Sequence, residues 1–181
     1  VVSPYSLVIT AIETDSAASS SNPGTTNSGS GFIAAGDTFY VTVEARDGSG
    51  AITPNYGNES SPEGIRLNID SLVHPVGGAN GTLSNANAFS VTGTPGKFEN
   101  TTISWSEVGT LKLEALVDDG AYLSAGDVNT VFTSGNVGRF FPDHFNVASS
   151  VDDACVVGNF SYMDQGTITA SITLQARTKG G

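Results

Sequence analysis

The chain has little positive charge. Seven lysines and arginines stand against eighteen acidic residues in 181 positions, a formal charge of −11. The basic residues, from Arg46 and Arg66 to Arg177 and Lys179, are scattered singly. A nucleic-acid binder needs a basic footprint to neutralise phosphates, so that class is excluded. The simplest reading of the negative charge is solubility through mutual repulsion; the sharper one is divalent-cation binding. Cysteine is also scarce. Cys155 stands alone, so no disulfide can close within this chain. In a secreted protein an odd cysteine points to a partner outside the segment or to a reactive thiol.

Long hydrophobic runs are missing too. The longest mostly apolar stretch, Tyr5 to Ile12, is broken by Ser6 and Thr10, far short of the ~20 residues that span a bilayer as a helix. No signal peptide is visible and the first residue is Val, so the expectation is that processing or a boundary removed what came before. Good helix formers are few: glycine, serine and threonine make up about a third of the chain and charged residues only 14%. That composition excludes coiled coils and helical bundles. The 38% hydrophobic content still suffices for a core, which excludes wholesale disorder.

What is present is alternation with a period of two, the mark of half-buried strands. Phe39, Val41, Val43 and Ala45 face one way, and Tyr40, Thr42, Glu44 and Arg46 the other. Ile65, Leu67 and Ile69 repeat the pattern, as do Leu111, Leu113, Ala115 and Val117, and Ala170, Ile172, Leu174 and Ala176. Further strands are expected over Tyr5–Glu13, Phe98–Trp105, Val128–Thr133 and Arg139–Ala148. Turn clusters such as Asp47-Gly48-Ser49-Gly50 and Asp119-Gly120 separate them. Almost no helix is expected. The fold class is all-β, an immunoglobulin-like antiparallel β-sandwich, with an up-and-down barrel as the alternative. Ser16–Gly31, rich in Ser, Thr, Gly and Asn, is expected to be a long mobile loop, since it can bury little apolar area.

The chain also resembles itself. Gly36-Asp37 precedes the strand Thr38–Ala45 and then Arg46-Asp47-Gly48; Asp164-Gln165-Gly166 precedes Thr167–Ala176 and then Arg177-Thr178-Lys179-Gly180. Each copy follows another strand, Ser6–Glu13 or His144–Ser149. The expected organisation is one sandwich over residues 1–140 and, over 141–181, the first strands of an incomplete second β repeat. Two such strands cannot bury both faces alone. They must pack on the first unit, pair with a sheet edge, or pair with another molecule. Leu7 and Ile9 in the first copy, and Ile172 and Leu174 in the second, are the partner-strand candidates.

Chemical motifs are sparse. His74 and His144 lack zinc-ligand spacing, and no serine sits in a G-x-S-x-G elbow. The triplets Gly29–Gly31 and Gly48–Gly50 lack a third glycine and open no helix, so they are turn glycines rather than a phosphate cradle. Asp118-Asp119 and Asp152-Asp153 are the candidate Ca²⁺ ligands, because loops at a sandwich end can gather the six to eight oxygens that Ca²⁺ takes. No EF-hand pattern is present, and solvated turn acids are the simpler reading. No other cofactor is expected. Trp105, Tyr56, Tyr122 and the Phe140-Phe141 pair are read as core or corner aromatics before sugar platforms. Four N-x-[ST] sequons, at Asn58, Asn80, Asn100 and Asn159, are about what chance supplies among thirteen asparagines.

Two stretches carry a resemblance. One is Trp105-Ser106-Glu107-Val108-Gly109-Thr110-Leu111-Lys112-Leu113 with Tyr122-Leu123. The other is Val137-Gly138-Arg139-Phe140-Phe141-Pro142-Asp143-His144-Phe145, then Cys155 and Phe160-Ser161-Tyr162-Met163. Together with Val41–Arg46 and Thr53-Pro54-Asn55-Tyr56-Gly57, this order resembles the β-rich region of the MSHA biogenesis protein MshQ family, associated with a type IV pilus. The likeness spans roughly residues 32–177. It implies a secreted, cell-surface or pilus-associated module with pilus or surface proteins as partners. It implies no catalytic residues, and also that Cys155 pairs with a cysteine beyond Gly181. The lectin-like domain of family members has no counterpart in these residues, so no sugar-binding residues carry over.

The expected function is therefore a non-enzymatic, extracellular structural or adhesion module, with no nucleic-acid partner and no membrane span in this segment. Two alternatives remain. One is a glycan- or protein-binding module using the end loops Ser16–Gly31 and Leu72–Asn87, with or without Ca²⁺. The other is a filament subunit that self-associates by strand donation through its edges. An enzyme is not expected.

Overall fold

The structure, a computed structural model, describes residues 3–15, 20–152 and 168–180. Among them run ten strands: β1 (Ser6–Glu13), β2 (Thr38–Arg46), β3 (Ile65–His74), β4 (Leu83–Ser84), β5 (Ser90–Val91), β6 (Lys97–Trp105), β7 (Gly109–Val117), β8 (Val137–Phe140), β9 (His144–Asp152) and β10 (Thr169–Arg177). A single 3-10 turn at Tyr122–Ser124 is the one helical element described. All strand pairs are antiparallel. One sheet has the order β1-β2-β6-β4, with β5 also on β6; the second has the order β3-β7-β8; β9 and β10 pair only with each other.

The alternation becomes burial. Phe39, Val41, Val43 and Ala45 of β2 are all but inaccessible, and so are Leu111, Leu113, Ala115 and Val117 of β7. These two sets face each other across one core with Leu7, Ile65, Leu67, Ile103 and Trp105. The fold is an antiparallel β-sandwich. Removing each of the valine, leucine and isoleucine side chains from water contributes roughly 1.5–3 kcal/mol before conformational entropy opposes it. Phe140 closes one region of the core, with ring centroids 5.1 Å from Trp105, 5.5 Å from Phe39 and 5.6 Å from Phe32, all edge to face. Val137 and Phe140 thus tie the Val137–Phe145 run to the sandwich.

β6 changes phase within itself. Phe98 and Asn100 are buried, and then Ile103 and Trp105. Opposite them β2 advances two residues, Val41↔Asn100 to Phe39↔Ile103, while β6 advances three, so β6 carries a bulge at Thr101-Thr102. The Asn100 side chain braces it: Oδ1 accepts from Thr102 N at 3.0 Å, and Nδ2 donates to Asn85 O at 2.6 Å. An asparagine that is completely buried cannot accept a glycan, which removes one of the four sequons.

Three expectations about the chain path need correction. Val128–Thr133 is not a strand. Thr130 N bonds Tyr5 O and Ser134 N bonds Leu113 O, so the segment crosses from one sheet to the other instead of running beside either. Only its end touches β7, at the isolated Glu114↔Thr133 bridge, while β8 pairs with β7 along Gly109–Leu111. The stretch Arg139–Ala148 is not one strand but the end of β8 and the start of β9, parted around Pro142, which has no N–H to donate. The third correction concerns residues 20–31, which are bound rather than mobile. The Asn22 side chain donates to Asn136 O at 2.7 Å and accepts from Gly138 N at 2.9 Å. Thr110 Oγ1 donates to Thr25 O at 2.7 Å, and Arg139 donates to the carbonyls of Asn27 and Gly29. Apolar area was the wrong criterion, because this loop is held by hydrogen bonds to its carbonyls. Arg139→Ala is expected to raise amide exchange across residues 22–31 while changing global stability by only about 1 kcal/mol, since charge-assisted bonds at a half-exposed site contribute modestly.

Candidate functional site

The β9–β10 ribbon is the most conspicuous surface. The two strands pair residue for residue from Arg177↔His144 to Thr169↔Asp152. In such a pair, alternate residues share a face. Phe145, Val147, Ser149 and Val151 therefore lie with Ala170, Ile172, Leu174 and Ala176, while His144, Asn146, Ser150 and Asp152 lie opposite with Thr169, Ser171, Gln175 and Arg177. The ribbon is amphipathic, yet every residue from His144 to Asp152 is exposed. Ile172 is 69% exposed, Val147 65% and Leu174 63%. Asp143 N closes its root by bonding Arg177 O, and Lys179 fixes it to the sandwich, its N bonding Ala35 O and its ammonium pairing with Asp37.

The ribbon repeats the start of the β1–β2 pairing, without the bulge that β1 carries after Ile9. In the sandwich, Leu7 faces Ala45 and Ile9 faces Val43; in the ribbon, Phe145 faces Ala176 and Val147 faces Leu174. The first set is covered by the β3–β7–β8 sheet and Leu7 is fully buried, with Ile9 packed against the core. Of the four partner-strand candidates, Leu7 and Ile9 therefore belong to a built core, whereas Ile172 and Leu174 stand open. Phe145, Val147 and Val151 share their face.

The acidic pairs sit apart. Asp118 and Asp119 are exposed in the turn after β7, where Asp119 accepts from Ala121 N at 2.8 Å. Asp152 ends β9 on the polar face of the ribbon; Asp153 and Cys155 lie outside the described residues. Among the described residues no three His, Cys, Asp or Glu side chains come together as a metal-holding group. His144 is exposed and bonds Asp143 at 2.9 Å.

Three acids that the sequence did not flag, Glu59, Glu63 and Asp127, are engaged in one region of the sandwich. Glu59 accepts from the Tyr122 hydroxyl at 2.8 Å and from Gly57 N at 2.8 Å; Glu63 accepts from Leu123 N at 2.9 Å. Asp127 accepts from Val117 N at 3.0 Å and Val128 N at 2.7 Å. These carboxylates staple loops to the ends of strands. Tyr56 stacks on Tyr122 at 5.4 Å and donates to Gly64 O at 2.7 Å. Burial, then the Glu59 hydrogen bond and charge, pushes the Tyr122 hydroxyl up to about 12. Burial, then the charges of Glu63 and Glu59, pushes Tyr56 higher still. A phenol raised above its unfolded value of about 10 stabilises the fold below that pH, and the contribution is lost as pH rises toward the folded value. Titration followed by tyrosinate absorbance is expected to show two tyrosines ionising well above pH 10, with unfolding setting in over the same range. Tyr122→Phe should remove one of these late steps.

Residues 3–105 match the second domain of DUF6701, and residues 107–181 match its third domain. The chain belongs to the DUF6701 family. No curated protein and no solved structure matches it. The two matched stretches meet between β6 and β7, yet the DUF6701 sandwich is built across that point: β7, from the third domain, pairs along β3, from the second. Both stretches supply the one core. No helix among the described residues of this DUF6701 chain is long and apolar enough to cross a membrane.

Proposed function

We propose that this DUF6701 chain is a non-enzymatic structural module of a bacterial cell-surface protein, of the pilus-associated kind that the MshQ resemblance implies. The observation that carries the proposal is serial repetition. After the sandwich has its core, the chain sets out a second antiparallel strand pair whose first pairings match those of β1–β2, up to the bulge that follows Ile9, as expected of a stalk assembled from successive β units. The engagement of Glu59, Glu63 and Asp127 in backbone and tyrosine contacts also favours a mechanical role. The sandwich is inferred to be of immunoglobulin-like type. Four strands in the order β1-β2-β6-β4 over three in the order β3-β7-β8 correspond to the ABED and CFG sheets of constant-type domains.

The test is topological. Protease applied to intact cells of the source bacterium is expected to release peptides of this chain, and shearing of surface appendages to carry part of it into the pilus fraction. Protection of the chain until the cells are broken would remove the surface assignment. Release by protease without any association with sheared pili would leave a surface module and remove the pilus.

A further inference from the structure

Among the described residues, the open face of the ribbon gathers five large exposed hydrophobic side chains, Phe145, Val147, Val151, Ile172 and Leu174. A two-stranded hairpin is at best marginally stable in water by itself. Here the ribbon is nine residues long on each strand, and among the described residues nothing covers it. The corresponding side chains at the start of β1–β2 are covered by a sheet: Leu7, Val43 and Ala45 are buried and Ile9 packs against the core. We propose that the ribbon is covered by the ribbon of a second copy of this chain. The two apolar faces would pack against each other as the two layers of a four-stranded sandwich.

Area and charge both support a second copy as the occupant. Phe145, Val147, Val151, Ile172 and Leu174 are each 59–69% exposed and together present roughly 500 Å² of apolar surface, near the upper end for the largest such patch on an ordinary monomer. Two faces in contact remove about 1,000 Å² in total, the size at which a specific interface begins. A two-fold contact places each face on its own image, so it must be free of like charges. This one is. The charged groups of the ribbon, His144, Asp152 and Arg177, lie on the opposite face, and Asp152 and Arg177 balance each other. The chain's net charge of −11 therefore opposes association only from the sandwich bodies, a long-range repulsion that salt screens.

The experiment is sedimentation velocity on the full chain over a concentration series, at low and physiological salt. The mass is expected to rise toward twice 18.5 kDa with concentration, and more readily in salt. The double variant V147K/L174K should stay at the monomer mass, while N146K/T173K, with the same added charge on the polar face, should still dimerise. Hydrogen exchange tests the location without a variant: amides of 144–152 and 169–177 should gain protection with concentration in step with the mass. A chain that stays monomeric throughout overturns the proposal and leaves the face to strands of a following unit or to another protein. A dimer that survives V147K/L174K, dissociates in salt, or forms without added protection in the ribbon overturns it as well.

Discussion

Replacing Trp105 by alanine is expected to cost the sandwich about 3–5 kcal/mol, the range for deleting a fully buried tryptophan. Trp105 ends β6 with no accessible surface. Its ring meets Phe140 edge to face at 5.1 Å, and Phe140 in turn meets Phe32 and Phe39. Most of the loss should come from packing. The indole N–H donates to Asn80 O at 2.7 Å, but Asn80 is exposed, so its carbonyl can turn to water when the indole is gone. Trp105→Phe should therefore recover well over half of the loss. Urea unfolding followed by far-ultraviolet circular dichroism measures this, since the variant lacks the only tryptophan. A loss below about 1 kcal/mol would mean that the neighbouring rings collapse into the space.

Gly109→Ala is expected to be as damaging for a different reason. Gly109 opens β7 at φ +123°, and a Cβ there would lie 2.0 Å from His74 O and 2.9 Å from its carbonyl carbon. Those atoms belong to the backbone at the end of β3, which pairs with β7 at His74↔Thr110, so no side-chain rotation relieves the clash. Conformational strain alone costs roughly 1–3 kcal/mol, and the displaced strand end should bring the total to at least about 3 kcal/mol. Gly50→Ala separates the two effects. Gly50 also has positive φ, +89°, but nothing lies within 4 Å of its would-be Cβ, so only about 1–2 kcal/mol of backbone strain is expected. Equal losses at the two positions in thermal melts would show that the approach of β3 to β7 is not what requires glycine.

The strands were legible wherever apolar and polar residues alternate. In β2, β7 and β10 the alternation in the sequence is the alternation of faces, because a strand half in water must divide its side chains in that way. Legibility failed where backbone partners decide. Val128–Thr133 has strand-like residues, but Thr130 bonds Tyr5 ahead of β1 and the segment reaches β7 only at the isolated Glu114↔Thr133 bridge. Ser20–Gly31 has the composition of a free loop, but Arg139, Thr110 and Asn22 hold it through main-chain atoms, which composition does not reveal. Glu59, Glu63 and Asp127 look like any surface acids until the fold brings backbone N–H groups to them.

Amino-acid sequence by itself determined the all-β class, the inward residues of the long strands, the excess of negative charge, and the echo of β2 in β10. All of these follow from local periodicity and summed composition. Tertiary structure alone decided that the matched second and third domains share one core, that β6 shifts phase around Asn100, and that Leu7 and Ile172 have opposite fates. Leu7 and Ile172 occupy corresponding hairpins with the same alternation. Leu7 is buried because a second sheet lies over it, and Ile172 is exposed because, among the described residues, none does. Periodicity tells which face of a strand is apolar, but only long-range pairing supplies the surface that covers it.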